Sequence, residues 1–252
     1  SDVCSSDLFA SVVRVFSMKF HKMINVYKNV YAFITPSEFL KNKLALNGFE
    51  EKRIHCIPTF TASKTTIGEQ QIGSYGLYFG RVTEEKGVET VIKAYEKLPE
   101  YTVKIMGDDT TDEAKRLKKY VENHKMKNVE FLGFKSGEEL ENVIKGARFT
   151  LIPSIWYDNL PNTALESFQY SKPVIASNIG SLPELVIDGE NGYLFKPSNV
   201  EDLIKKIKML DDDTLVKKMG QASRKRLESR FAPQTHYEEL MKIFNEAVKS
   251  RK

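Results

Sequence analysis

Cysteine, long apolar runs and charge of one sign are all scarce in this chain, and each scarcity removes a class of protein. The two cysteines, Cys4 and Cys56, show no Cys-x-x-Cys spacing and stand in no histidine cluster. That excludes a recognisable zinc site and a disulfide framework, and it suits a reducing cytoplasm. No apolar stretch approaches the roughly 18 residues of a membrane span. Segment 9–16 is short and follows acidic residues, so no convincing signal peptide is expected. The formal net charge is only +4, and the lysines are scattered (Lys115, Lys118, Lys119; Lys205, Lys206, Lys208). Scattered lysines read as solvated helix faces, so no nucleic-acid partner is expected. Peripheral attachment to anionic headgroups, on the inner face of the plasma membrane, stays open on the same mild charge.

What the chain does hold is an alternation of strands and helices over 252 residues, enough for one large α/β domain or two smaller ones. Residues 1–8, SDVCSSDL, lack periodicity and are expected to be translated read-through at a fragment edge, so that the chain is a fragment. A basic-faced helix is expected over 9–28, a strand over 30–35, a helix opened by Pro36 and Ser37 and closed by Gly48, and a strand over 54–57. Segment 59–74 is rich in Thr, Ser and Gly and is the linker candidate, with the linker itself placed at 63–74. Strands are then expected at 77–79, 102–106, 129–132, 149–152, 174–176 and 193–195. Helices are expected between them, and again over 200–210, 213–229 and 234–250. This spacing means a parallel sheet covered on both faces. Ser136–Glu139 reads as a capping box, and Asp211, Asp212 and Asp213 as helix caps rather than metal ligands.

Chemistry concentrates in two loops. The sequence 153–184, PSIWYDNLPNTALESFQYSKPVIASNIGSLPE, sets Asp158 and Glu166 seven intervening residues apart around a strand-to-helix crossing, with a further acid at Glu184. In α/β proteins polar ligands bind beyond the strand carboxyl ends. Carboxylates accept hydrogen bonds from vicinal diols, so this stretch points to a sugar or ribose. Backbone N–H groups of segment 159–163, at a helix start, suit phosphate. The second loop, Gly80 to Gly87 (GRVTEEKG), offers close backbone approach, a planar guanidinium at Arg81 and an ammonium at Lys86, a pair able to neutralise a diphosphate. Equally, Arg81 and Lys86 are satisfied by Glu84 or Glu85 on a ligand-free surface. Gly107 and Phe134 follow strand ends where a base could stack, or where a tight turn alone is needed.

The strings GRVTEEKG and PSIWYDNLPNTALESFQYSKPVIASNIGSLPELVIDGENGYLF resemble the C-terminal domain of the retaining GT-B glycosyltransferases of family 4. ITPSEFLKNKLALNGFEEKRIHCIPTF resembles the end of that family's N-terminal domain. The resemblance covers about residues 20–250. It implies an α/β, GT-B type fold. Segment 9–62 would then be the remnant of the acceptor-side Rossmann-like domain, 75–231 the nucleotide-sugar domain, and 232–252 a helix crossing back to the first domain. It also implies that Arg81 and Lys86, with Gly80, bind the donor diphosphate. Glu166 would take the ribose, Asp158 the donor sugar, and Asn162 and Thr163 would lie beside the phosphates. Gly107 and Phe134 would lie beside the base. Asp158 stands where the family usually has glutamate, one methylene longer. No metal or other cofactor is implied; the partners are a nucleotide-sugar donor and a glycan or lipid-linked acceptor.

Two other readings remain. One is a GT-B-fold nucleotide-sugar epimerase, which the GRVTEEKG and Asp158/Glu166 pattern argues against. The other is a donor-binding unit with no catalysis of its own, because the family's N-terminal glycine-rich loop has no counterpart here. His21, His55, His124 and His236 likewise match no family histidine near the reacting sugar.

Overall fold

The computed structural model describes residues 3–24, 26–61 and 71–250. Helix α1 spans Val3–Met23 and a 3-10 turn covers Val26–Asn29. The helix therefore starts earlier than its apolar periodicity suggests and takes in residues 3–8, part of the segment expected to lie apart from the fold. Strand β1 (Phe33–Thr35) and strand β2 (Ile54–Cys56) pair in parallel, Phe33 opposite Ile54, with helix α2 (Glu38–Leu46) as their crossover. The expected strand over 30–35 keeps only its last three residues, the length that β2 can match. The linker candidate falls largely on 62–70, outside the described residues.

The larger sheet is built from β3 (Tyr75–Phe79), β4 (Thr102–Met106), β5 (Val129–Gly133), β6 (Ala147–Ile152), β7 (Val174–Ser177) and β8 (Gly192–Phe195). All pair in parallel, in the order β5-β4-β3-β6-β7-β8. The chain builds outward from β3 in one direction, then returns to the other side of β3 with β6. The gap between β3 and β6 at their carboxyl ends is thus the topological switch point, where open α/β sheets bind ligands.

Period-two alternation on β3 sends Leu77 and Phe79 to one face and Tyr78 to the other. Leu77 and Phe79 pack with Ile144 of α5 (Gly137–Lys145) and Tyr170. Tyr78 joins the cluster containing Val91 and Ile92 of α3 (Val88–Glu96) and Leu117 of α4 (Asp112–Asn123). A third cluster sets Phe168 of α6 (Asn162–Gln169) against Leu185 of α7 (Leu182–Leu185) and Leu227. After α8 (Val200–Lys208), α9 (Asp213–Arg230) covers α6, and α10 (Pro233–Lys249) leads back to the small sheet, where His236 Nδ1 lies 2.7 Å from the Pro58 carbonyl.

The buried Lys172 ties the base of the sheet together. Its ammonium donates to the carbonyls of Gln71 (2.6 Å), Lys145 (2.6 Å) and Ala147 (2.7 Å), and burial pushes its pKa down to about 8.

Two capping expectations part ways. Asp212 caps α9 by accepting from Thr214 N at 2.8 Å, while Asp213 pairs with Arg148 at 2.6 Å and Asp211 accepts from the Tyr101 hydroxyl at 2.6 Å. Ser136 sits at the N-cap of α5, but its hydroxyl makes no capping bond. Gly137 there has φ +56°, and Glu139 turns to Lys135 at 3.2 Å instead of reaching back.

Candidate functional site

The switch point holds a cavity of about 240 Å³, lined by the ends of β3 and β6, the loops after them and the start of α6. Gly80, Arg81, Lys86, Asp158, Asn162 and Thr163 all face it. Residues from two loops far apart in sequence therefore meet, because β3 and β6 are neighbours. Gly87 makes the approach possible. Its φ is +67°, and a Cβ there would lie 2.1 Å from the Pro153 carbonyl oxygen in the loop after β6. The N–H of Ile155 donates to the Glu85 carbonyl at 3.0 Å and completes the junction.

At its centre Lys86 Nζ lies 2.5 Å from Asp158 Oδ1. The side chains are 20% and 15% exposed, so the pair is partly screened from water rather than solvated. Asp158 Oδ2 accepts from the Ser154 hydroxyl. Both oxygens of the shortened acid are thus engaged within the protein. Ser154, one residue past a strand-end proline and four before Asp158, is a site residue that the sequence reading did not single out. Tyr78 also lines the cavity; its hydroxyl donates to the Arg81 carbonyl at 2.5 Å. Burial, and then the nearby Asp158 charge, push that phenol well above its ordinary range.

Arg81 behaves differently from Lys86. Its side chain is 73% exposed and reaches Glu85 at 3.8 Å, a loose contact worth little in water. The guanidinium is therefore available to an anion in the cavity.

Glu166, Gly107 and Phe134 lie outside the cavity lining. Glu166 is half-buried one helical turn after Asn162, hence on the same face of α6. Burial pushes its carboxyl up, and no cation or donor among the described residues offsets this. Gly107 is needed for packing: a Cβ would sit 1.9 Å from the Gly80 carbonyl oxygen, and the Gly107 N–H donates to Gly133 O at 3.0 Å. Phe134 is 74% exposed. Glu184, grouped in the sequence with the ligand-facing acids, has both oxygens on the first turn of α2, accepting from Glu38 N (2.8 Å) and Phe39 N (2.6 Å).

The profile of the glycosyl transferases group 1 matches residues 66–226. The chain belongs to this family. An uncharacterized glycosyltransferase of Methanocaldococcus jannaschii is 30% identical over 190 residues, covering 75% of this chain and 52% of that protein. The glycogen synthase of Mycobacterium tuberculosis is 31% identical over 186 residues, covering 70% of this chain and 42% of that protein. The chain thus spans about half the length of these curated relatives. Among solved structures, Anabaena HepE in complex with UDP and glucose superposes with a TM-score of 0.76 at 19% identity, over 85% of this chain and 63% of that one. The fold is that of the GT-B glycosyltransferases: α/β, with a six-stranded parallel sheet. Among the described residues no helix is long and apolar enough to cross a membrane.

Proposed function

We propose that this chain carries the donor side of a retaining glycosyltransferase. It would move a glycosyl unit from a nucleoside diphosphate sugar to a glycan or lipid-linked acceptor, in bacterial surface polysaccharide or lipopolysaccharide assembly. The observation that carries this reading is the switch-point cavity with Lys86, exposed Arg81 and the α6 N-terminus around it. Two cations and the N–H groups of Asn162 and Thr163 at the start of α6 match a diphosphate. The UDP bound by the Anabaena structure lends support through the shared fold.

In this reading the diphosphate enters between Arg81 and Asn162–Thr163 and shares the Lys86 ammonium with Asp158. As the C1–O bond of the donor breaks, its electron pair passes to the phosphate oxygen. Lys86 and Arg81 stabilise that growing charge, which is where a fixed cation lowers a barrier most. The acceptor oxygen bonds to C1 on the face that the phosphate leaves, and its proton passes to a phosphate oxygen. Glu166 takes the ribose hydroxyls; for a half-buried carboxylate without a partner among the described residues, such donors supply the missing hydrogen bonds. No protein-bound metal is called for in this scheme.

The 252-residue chain by itself is expected to bind nucleotide with little or no transfer, given the length of its relatives. Titration calorimetry with UDP and with GDP tests the reading. Saturable binding of either one is expected, and binding of neither at millimolar concentration would overturn the donor-site assignment.

A further inference from the structure

The first turn of α2 presents three N–H groups, those of Glu38, Phe39 and Leu40, that no helical carbonyl can take. The Leu40 N–H goes to the Ser37 hydroxyl at 3.2 Å, and the helical ladder begins one residue on, with the Lys41 N–H on the Ser37 carbonyl at 3.1 Å. The other two, from Glu38 and Phe39, go to the carboxylate of Glu184, 145 residues or more along the chain and beside the large sheet. A carboxylate at a helix N-terminus also meets the positive end of the helix dipole. The Ser37 hydroxyl then donates its own proton to Asn159 Oδ1 at 2.9 Å, reaching the loop that follows β6. Phe39 packs against Tyr157 of the same loop, with ring centroids 5.0 Å apart and the planes tilted by 39°, and Lys43 lies over both rings.

The same loop is tied to α7 from within. The Ser181 hydroxyl donates to the Asp158 carbonyl at 2.7 Å and accepts from the Leu160 N–H at 2.8 Å. Glu184 N donates to Ser181 O at 3.0 Å. Leu160 has φ +56°, a left-handed conformation that a leucine keeps only when neighbours hold it. The path α2 N-terminus, Glu184, Ser181, Asp158, Asn159, Ser37 is a closed circuit of hydrogen bonds and peptide links that passes through the main chain of the residue assigned to the donor sugar.

We propose that Glu184 and Ser37 form a latch between the small β1–β2 unit and the loop carrying Asp158, and that Glu184 is a positioning residue for the sugar part of the donor. This rests on the donor-site reading above for its ligand, but the latch itself has a ligand-free readout. Breaking it leaves the phosphate-facing Lys86, Arg81 and α6 N-terminus in place while loosening the main chain at Asp158 and Asn159.

Hydrogen exchange read by mass spectrometry on the 252-residue chain tests the latch first. Glu184→Ala is expected to speed exchange across segment 158–160 at least ten-fold, and Glu184→Gln, which keeps one acceptor oxygen, to give an intermediate rate. Rates in that segment within two-fold of wild type in both variants overturn the latch. Calorimetry with UDP and UDP-glucose tests the positioning role. Glu184→Ala is expected to weaken UDP-glucose at least five-fold and UDP less than two-fold. An equal loss for both ligands, or no loss for either, overturns it. If wild type binds neither ligand, the donor-site reading and the positioning role fall together, while the exchange data still decide whether the latch exists.

Discussion

Replacing Lys86 by methionine separates what this side chain does for the fold from what it does for a ligand. The substitution keeps most of the volume and removes the charge, leaving the Asp158 carboxylate with Ser154 alone. Removing one partner of a fully buried ion pair costs about 3–5 kcal/mol. Asp158 keeps a hydrogen bond and is 15% exposed, so a smaller loss of about 2 kcal/mol is expected. In a domain of this size that lowers Tm by about 4–8 °C. For UDP the lost charge-assisted hydrogen bonds are worth about 1.5–3 kcal/mol, roughly ten-fold to over a hundred-fold in Kd. The double variant Lys86→Met/Asp158→Asn removes the stranded charge as well. It should regain most of the lost Tm and none of the lost affinity. Asp158→Asn alone frees the ammonium, so UDP is expected to bind as tightly as to wild type or more so. Thermal melts and calorimetry on the four proteins complete the cycle. If the double variant regained both stability and UDP affinity, Lys86 would be a structural partner of Asp158 and no phosphate ligand.

Glu166→Gln is expected to weaken UDP binding more than Asp158→Ala does, because UDP carries the ribose but no transferred sugar; equal affinities in the two variants would refute that division of roles. The same substitution should raise Tm at pH 7. The folded-state carboxyl is held above its ordinary value of 4.5, so the native protein binds more protons between the two values and the charged form costs stability above them. The gain is therefore expected to shrink as pH falls toward 4.5, and a gain independent of pH would contradict burial as its cause. Gly87→Ala forces a left-handed alanine, about 1–2 kcal/mol, and a clash with Pro153. A lower Tm together with weaker UDP binding is expected, and a variant indistinguishable from wild type in both would show that the junction yields freely.

Several elements were legible in the residues alone. The strand over 102–106 coincides with β4, and the helix start expected within 159–163 falls at Asn162, because apolar runs bounded by Gly, Pro and Asn state their own limits. Segment 30–35 was read too long, since β propensity says nothing of how much partner strand is available. The four-residue α7 went unread because its Leu-Pro-Glu-Leu is too short to show a helical period. The capping box at Ser136 failed for a local reason that spacing does not carry, the positive φ of Gly137.

The order of residues alone carries the α/β alternation, the glycines that allow close approach, and the residue types able to hold a diphosphate and a diol. Those follow from local preference and side-chain chemistry, which are properties of short stretches. The tertiary structure decided which of them meet. The strand order brought the Gly80–Gly87 loop beside Asp158, and the pairing of Lys86 with Asp158 follows from that neighbourhood. It also sent Glu184 away from Asp158 and Glu166 to the N–H groups of α2, and left Glu166 half-buried without a partner among the described residues. Strand order depends on how whole layers bury their apolar faces against one another, a long-range free energy that no window of residues contains.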